Sequence, residues 1–178
     1  FYFKMKLAAL FSGGKDSTYA IYLARKLSHS VDVLLTLHPY SNESHLLHHP
    51  NIKFTSLQAE SMKIPQIIEE IPSIDSKVEF EKLDRLVTRA KENYSIEGIV
   101  HGGILSKYQK DNFSLICEKN NLEIISPLWN TKPESYMKEL LEENFEYIIT
   151  SVSSDGLNDS WLGQIIDKNG LENLEKLQ

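Results

Sequence analysis

Residues 12–17 read SGGKDS and follow directly on the apolar run Leu7–Phe11. Gly13 and Gly14 carry no Cβ, so their amides can come close to an anion. A helix opening near Asp16 or Ser17 aims its first N–H groups and the positive end of its dipole at the same spot. Lys15 adds a point charge, and Ser12, Ser17 and Thr18 add hydroxyl donors. Asp16 repels an anion, and suits either a helix cap or a carboxylate ligand for Mg²⁺ beside phosphates. A Gly-Gly pair alone would be an ordinary turn, but all six residues arise by chance roughly once in 10^5 chains of this length. Donors set in advance around a multiply charged leaving group are what the release of pyrophosphate from ATP requires. The stretch is neither G-x-x-x-x-G-K-[ST] nor G-x-G-x-x-G.

Other residues offer chemistry more weakly. Gly102 and Gly103, in HGGIL, would let backbone approach an α-phosphate or ribose, or else form a tight turn. Tyr108 and Gln109 follow at a helix start and are candidates to position a carboxylate or a nucleotide. His45, His48 and His49 cluster, but no cysteine joins them and two are adjacent, which disfavours a metal site. His49 and Asn51 are better read as substrate contacts. His101 reads as packing at a strand end. Cys117, inside FSLICEKN, reads as a small core residue. Asn158 and Asp159 either line a site or cap a helix.

These residues need a scaffold, and the hydrophobic pattern supplies one. Lys6–Phe11, Val31–Leu37, Ile67–Ile71, Gly98–His101, Glu123–Ser126 and Tyr147–Val152 read as strands. Between them, Ser17–Leu27, Thr55–Lys63, Val78–Asn93, Tyr108–Asn120 and Glu134–Asn144 read as helices, the last opened by Pro133, with a mostly helical tail from Ser160. In the first helix Ile21, Leu23, Ala24 and Leu27 are expected inward. Alternating strands and helices predict a Rossmann-like three-layer α/β/α fold with a mostly parallel sheet. Ligands then bind beyond the carboxyl ends of the strands, where strand order reverses, and the residues above fall in those loops.

At 178 residues the chain fits one ordinary domain; residues 5–178 read as a single ATP-binding domain with a substrate-side portion from about residue 123. Met5 reads as the natural start, with Phe1–Lys4 outside the fold. A net charge of -6 disfavours binding along a nucleic-acid backbone. A single cysteine excludes an internal disulfide framework and fits a cytoplasmic setting. No apolar run approaches the ~20 residues of a membrane span, and FYFKMK is no signal peptide. A homodimer is left open.

SGGKDS after the first strand resembles the PP-loop of the ATP pyrophosphatase superfamily, enzymes that split ATP between the α- and β-phosphates and adenylate a substrate. Its thiolases and reductases generally need reactive cysteines, and its glutamine-hydrolysing synthetases need a second catalytic domain. What remains is an adenylating enzyme using free ammonia. The stretches HHPN (48–51), LQAESMKIP (57–65), EGIVHGGILSKYQKDN (97–112), PLW (127–129) and GLNDSWLGQIID (156–167) resemble the archaeal and eukaryotic diphthine–ammonia ligases. The resemblance implies an adenine nucleotide alpha-hydrolase-like fold. It also implies ATP and Mg²⁺, with amidation of diphthine on translation elongation factor 2 by ammonia, releasing AMP and pyrophosphate. Lys15, Asp16 and Tyr108 become the catalytic candidates, with Ser12–Thr18, Gly102 and Gly103 on the nucleotide. Diphthine carries a trimethylammonium group, so Trp129 and Trp161 become candidate aromatic faces for it. Glu97 or Asp155 would add complementary charge, and Gln109 and Asn158 would complete the substrate side. The family usually has Arg where Asn112 and Gln164 stand, and a GEGGE segment further on. Two other readings stay open: an adenylating enzyme acting on tRNA, and a nucleotide-binding module without chemistry.

Overall fold

The computed structural model describes residues 3–39, 52–72, 75–153 and 156–177. The chain forms two compact units, Phe1–Trp129 and Asn130–Gln178.

The first unit holds five strands, β1 (Lys6–Leu10), β2 (Ser30–Pro39), β3 (Gln66–Ile71), β4 (Gly98–Val100) and β5 (Glu123–Ile125). They form one sheet in the order β3-β2-β1-β4-β5, every pair parallel. Helices α1 (Lys15–Lys26), α2 (Thr55–Met62), α3 (Ser76–Tyr94) and α4 (Lys107–Lys119) connect them. The side chains of β1 alternate between two separate cores. Ala8 and Leu10 pack with Leu83, Leu86 and Val87 of α3 and Phe113 and Ile116 of α4. Leu7 and Ala9, with Phe11 beyond them, pack with Ala20, Ile21 and Ala24 of α1 and Ala59 of α2. Both faces are therefore dry, which is why β1 and β2 read as unbroken apolar runs. A register shift opposite Leu7/Ala8 resets the alternation of β2, so Val31 and Leu34 share one core while Val33 and Leu35 share the other.

Local chemistry sets the helix ends. Asp75 caps α3 by accepting from the Lys77 N–H at 2.8 Å, and Ser106 caps α4 by accepting from Gln109 N–H at 3.3 Å. Left-handed Lys63 ends α2 two residues before Pro65. In α1 the buried positions are Ser17, Tyr19, Ala20, Ile21 and Ala24. Leu23 is only half-buried and Leu27 is exposed, against expectation. The helix stops at Lys26, and Ser28 turns left-handed, so Leu27 never completes the inward stripe.

The second unit holds α5 (Pro133–Glu142) and α6 (Lys168–Glu175) around Tyr136, Leu140, Ile166 and Leu171. Residues 147–152 form no strand. Ile148 bridges Ile165 antiparallel while Ile149 bridges Leu162 parallel. The opposing chain doubles back at Gly163 (φ 75°), so the two bridges run in opposite senses and no ladder can propagate. The tail is helical in two pieces, a 3₁₀ turn at Asp159–Trp161 and α6, which Asp167 caps by accepting from Gly170 N–H at 2.8 Å. Among the described residues no helix is long and apolar enough to cross a membrane.

Candidate active site

The strand order reverses at β1, whose neighbours are β2 and β4. The SGGKDS loop leaves the carboxyl end of β1, and the HGGIL loop leaves that of β4. The topology thus brings the two glycine loops side by side at the switch point. The contact between them is main chain on main chain. A Cβ on Gly102 would lie 2.5 Å from the carbonyl carbon and oxygen of Asp16 and 2.7 Å from Ser17 N. Gly102 is glycine because the end of β4 lies flat against the first turn of α1.

Within the first loop, Gly13 is left-handed (φ 77°), and its carbonyl accepts from Gln58 Nε2 at 2.9 Å. The Ser17 and Thr18 hydroxyls both donate to the Gly14 carbonyl, at 3.1 and 2.9 Å. Ser17 Oγ lies 3.2 Å from Ser12 Oγ and accepts from Ser12 N–H at 3.3 Å. These hydroxyls, expected as phosphate donors, hold the bend in shape here. No side chain caps α1 at Gly14, so the helix start is open to an anion. Gly14 itself has ordinary extended backbone (φ -79°, ψ 165°), and the nearest atom to a Cβ there would be Ser12 Oγ at 3.5 Å. The fold would accept a side chain at this position; glycine leaves the main chain without a Cβ, and its N–H makes only a long bond of 3.4 Å to Ser12 Oγ. Lys15 Nζ donates to Asp16 Oδ1 at 2.6 Å, holding a cation and a carboxylate together at the mouth of the loop.

A cleft of about 170 Å³ opens between the loops, rimmed by Ser12, Asp16, Ser17, Gly102, Gly103 and Gln109. Leu10, His101 and Phe113 form the rest of its lining. His101 is buried. Its Nδ1 accepts from Gly103 N–H at 3.0 Å, its Nε2 lies 2.7 Å from Ser126 Oγ, and its ring meets the edge of Phe113 at 5.0 Å between centroids. An Nδ1 that accepts leaves the proton on Nε2, so Nε2–H donates to Ser126. Burial, with Lys110 as the smaller cause, lowers the His101 pKa to about 4 and keeps the ring neutral.

Of the sequence candidates, Ser12, Asp16, Ser17, Gly102, Gly103 and Gln109 line the cleft, while Gly13, Gly14, Lys15 and Thr18 belong to the same loop and helix start outside that lining. Tyr108 starts α4 half-exposed and does not line the cleft. Glu97 does not join them: it precedes β4, at the amino edge of the sheet, where its carboxylate accepts from Lys6 N–H at 2.9 Å. Trp129 lies beyond β5, with Lys110 Nζ 4.3 Å above its ring centre. Asn158 and Trp161 belong to the second unit; Asn158 Oδ1 caps the 3₁₀ turn by accepting from Ser160 N–H at 3.0 Å. His49 and Asn51, with His45, His48 and Asp155, lie outside the described residues. Asn112 and Gln164 donate to carbonyls four residues back, Tyr108 and Ser160, at 2.7 and 2.6 Å. Cys117 is buried, and burial with the nearby Glu123 pushes its thiol up to about 12, so it is no nucleophile.

Sequence reasoning passed over the support behind the loop. Thr36 Oγ1 donates to the Phe11 carbonyl at 2.8 Å, and Gln66 Nε2 donates to Thr36 and Thr55 at 2.8 and 2.9 Å. Thr36 and Thr55 are fully buried, so this network fixes the end of β1 from beneath. Thr36, a lone hydroxyl inside the apolar run Val31–Leu37, was the available signal.

Residues 5–124 match the diphthamide synthase N-terminal domain, and residues 132–178 match the diphthamide synthase C-terminal domain. The chain is 31% identical over 182 residues to proteins named diphthine–ammonia ligase from Homo sapiens and Bos taurus, covering 92% of this chain and 68% of each relative. A crystal structure described as a predicted subunit of tRNA methyltransferase from Methanocaldococcus jannaschii shares the fold. It has a TM-score of 0.53 at 18% identity, covering 97% of this chain and 87% of the other. With both domains matched in order and the glycine loops meeting at the switch point of the sheet, this chain belongs to the diphthamide synthase family.

Proposed function

We propose that the protein amidates the diphthine carboxylate of translation elongation factor 2 with ammonia, consuming ATP and releasing AMP and pyrophosphate. The observation that carries the reading is the bare main chain at Gly14, fronting an uncapped helix start in a chain that matches both diphthamide synthase domains. In this reading the β- and γ-phosphates sit on residues 12–17 and the α-phosphate faces the Gly102–Gly103 side of the cleft. The carboxylate oxygen attacks the α-phosphorus in line, its P–O bond forms, and the bond to the β-phosphate oxygen breaks. Ammonia then attacks the acyl carbon, the bond to AMP breaks, and the nitrogen sheds a proton to water. Ammonia carries its own lone pair, so the residues here act by placement and charge stabilisation.

Asp16 lines the cleft and fits Mg²⁺, which takes one or two carboxylates together with phosphate oxygens rather than a full protein cage. Among the described residues no group of three or more His, Cys, Asp or Glu stands ready as such a cage. Bound there, Mg²⁺ would offset phosphate charge. Trp129 is the aromatic face assigned to the trimethylammonium group, which would displace the Lys110 ammonium now 4.3 Å above the ring. Gln109 and Tyr108 are assigned to the substrate side at the start of α4. A translation factor as substrate places the protein in the cytoplasm. The test is to supply ATP, ammonium and diphthine-bearing elongation factor and measure AMP and amide together. Absence of both above background defeats the proposal.

A further inference from the structure

We propose that His101 is a positioning residue that ties the turn after β5 to the nucleotide loops, acting through the Gly103 amide. This rests on the reading of the cleft as the ATP site.

The chain of contacts is continuous within the first unit. Trp129 N–H donates to the Ser126 carbonyl at 3.1 Å, closing the turn Ser126–Trp129. The Ser126 hydroxyl meets His101 Nε2 at 2.7 Å. His101 Nδ1 holds the Gly103 N–H at 3.0 Å. Gly102, next along, lies flat on the Asp16–Ser17 peptide, where even a methyl group would find main-chain atoms at 2.5 Å. A contact so tight transmits displacement, because neither peptide can slide without moving the other. His101 therefore sets where Gly102 rests, and Gly102 sets the first turn of α1 that fronts the phosphates.

The ring is suited to this and unsuited to proton transfer. It is 1% exposed, both nitrogens are engaged, and Phe113 packs on its edge. A neutral imidazole can accept at one nitrogen and donate at the other, as the two partners require. Ser12, Asp16, Ser17 and Gln109 are the charged and polar side chains that line the cleft with the ring, and the Lys110 cation acts on it from outside that lining.

Two neutral replacements separate the two contacts. An asparagine amide falls near Nδ1 and can still accept from Gly103. A glutamine amide falls near Nε2 and can still reach Ser126. The experiment measures ATP affinity by calorimetry, and kcat and KM for AMP formation, in wild type, His101→Asn and His101→Gln, with thermal unfolding of each. We expect His101→Asn to keep kcat within about fivefold and His101→Gln to lose about a hundredfold, the cost of roughly 1 Å of misplacement. Their melting temperatures should fall alike. Equal losses in the two variants, or losses that track melting temperature, overturn the proposal. A wild type that binds ATP but forms no AMP defeats the ligase reading and leaves the affinity split between the variants to judge His101. A wild type that does not bind ATP defeats both.

Discussion

Replacing Gly14 with alanine should leave the fold intact and stop the chemistry. The position has φ -79° and ψ 165°, open to any L-residue, and the added methyl would meet its nearest neighbour, Ser12 Oγ, at the ordinary distance of 3.5 Å. Alanine is a poorer helix cap than glycine, at a cost of a few tenths of a kcal/mol or more. The stiffer unfolded chain returns about 0.4–1 kcal/mol. The two nearly cancel, so the melting temperature should move by no more than about 2 °C in a chain of this size. A triphosphate meets a different surface. In the proposed binding mode the methyl would stand where phosphate oxygens approach the amides, and displacing one donor from developing charge costs about 10²–10³ in kcat. The assay is pyrophosphate release with saturating ATP, ammonium and diphthine-bearing elongation factor, run beside thermal unfolding. A Gly14→Ala protein that melts like wild type and releases pyrophosphate at the wild-type rate would refute the cradle, since bare main chain there would serve nothing.

Other substitutions test neighbouring parts of the site. Gly102→Ala should do the opposite of Gly14→Ala in stability: with main-chain atoms at 2.5 Å there is no room, so urea denaturation should show a loss of about 1–3 kcal/mol, and activity should fall as well. Lys15→Ala removes a partly exposed pair worth at most about 1 kcal/mol, so the protein stays folded. Steady-state kinetics should nonetheless show kcat down by about two orders of magnitude or more, as for loss of a charge-stabilising group. Acid stability should carry the signature of His101. The unfolded ring takes up a proton near its ordinary 6.5 and the folded ring only near 4, so stability falls as pH drops through that window, by about 3 kcal/mol at pH 4. His101→Gln should flatten the urea midpoint between pH 6.5 and 4; an unchanged slope would mean the ring is not held neutral. Because burial is the larger cause, Lys110→Met should leave most of that slope in place.

What could be read along the chain was chemistry confined to short stretches. SGGKDS announces an anion site because its glycines, lysine and helix start act within six residues, and the alternation of apolar runs with amphipathic ones announces a parallel sheet dry on both faces. Together these point to the carboxyl ends of the strands as the place for a ligand. The reading failed where the outcome depended on a distant partner. YIITSV has the composition of a strand, but the chain opposite doubles back at Gly163 and denies it a ladder. Glu97 looked like a free charge in a promising motif, and folding sets it at the wrong end of β4, bonded to Lys6. Gln58 beneath Gly13, Gly102 against Asp16, and His101 between Gly103 and Ser126 could only be seen in the fold. Residues far apart along the chain meet there because β1 and β4 are neighbours, and hydrogen bonds and steric limits act over a few ångströms of space, whatever length of chain lies between.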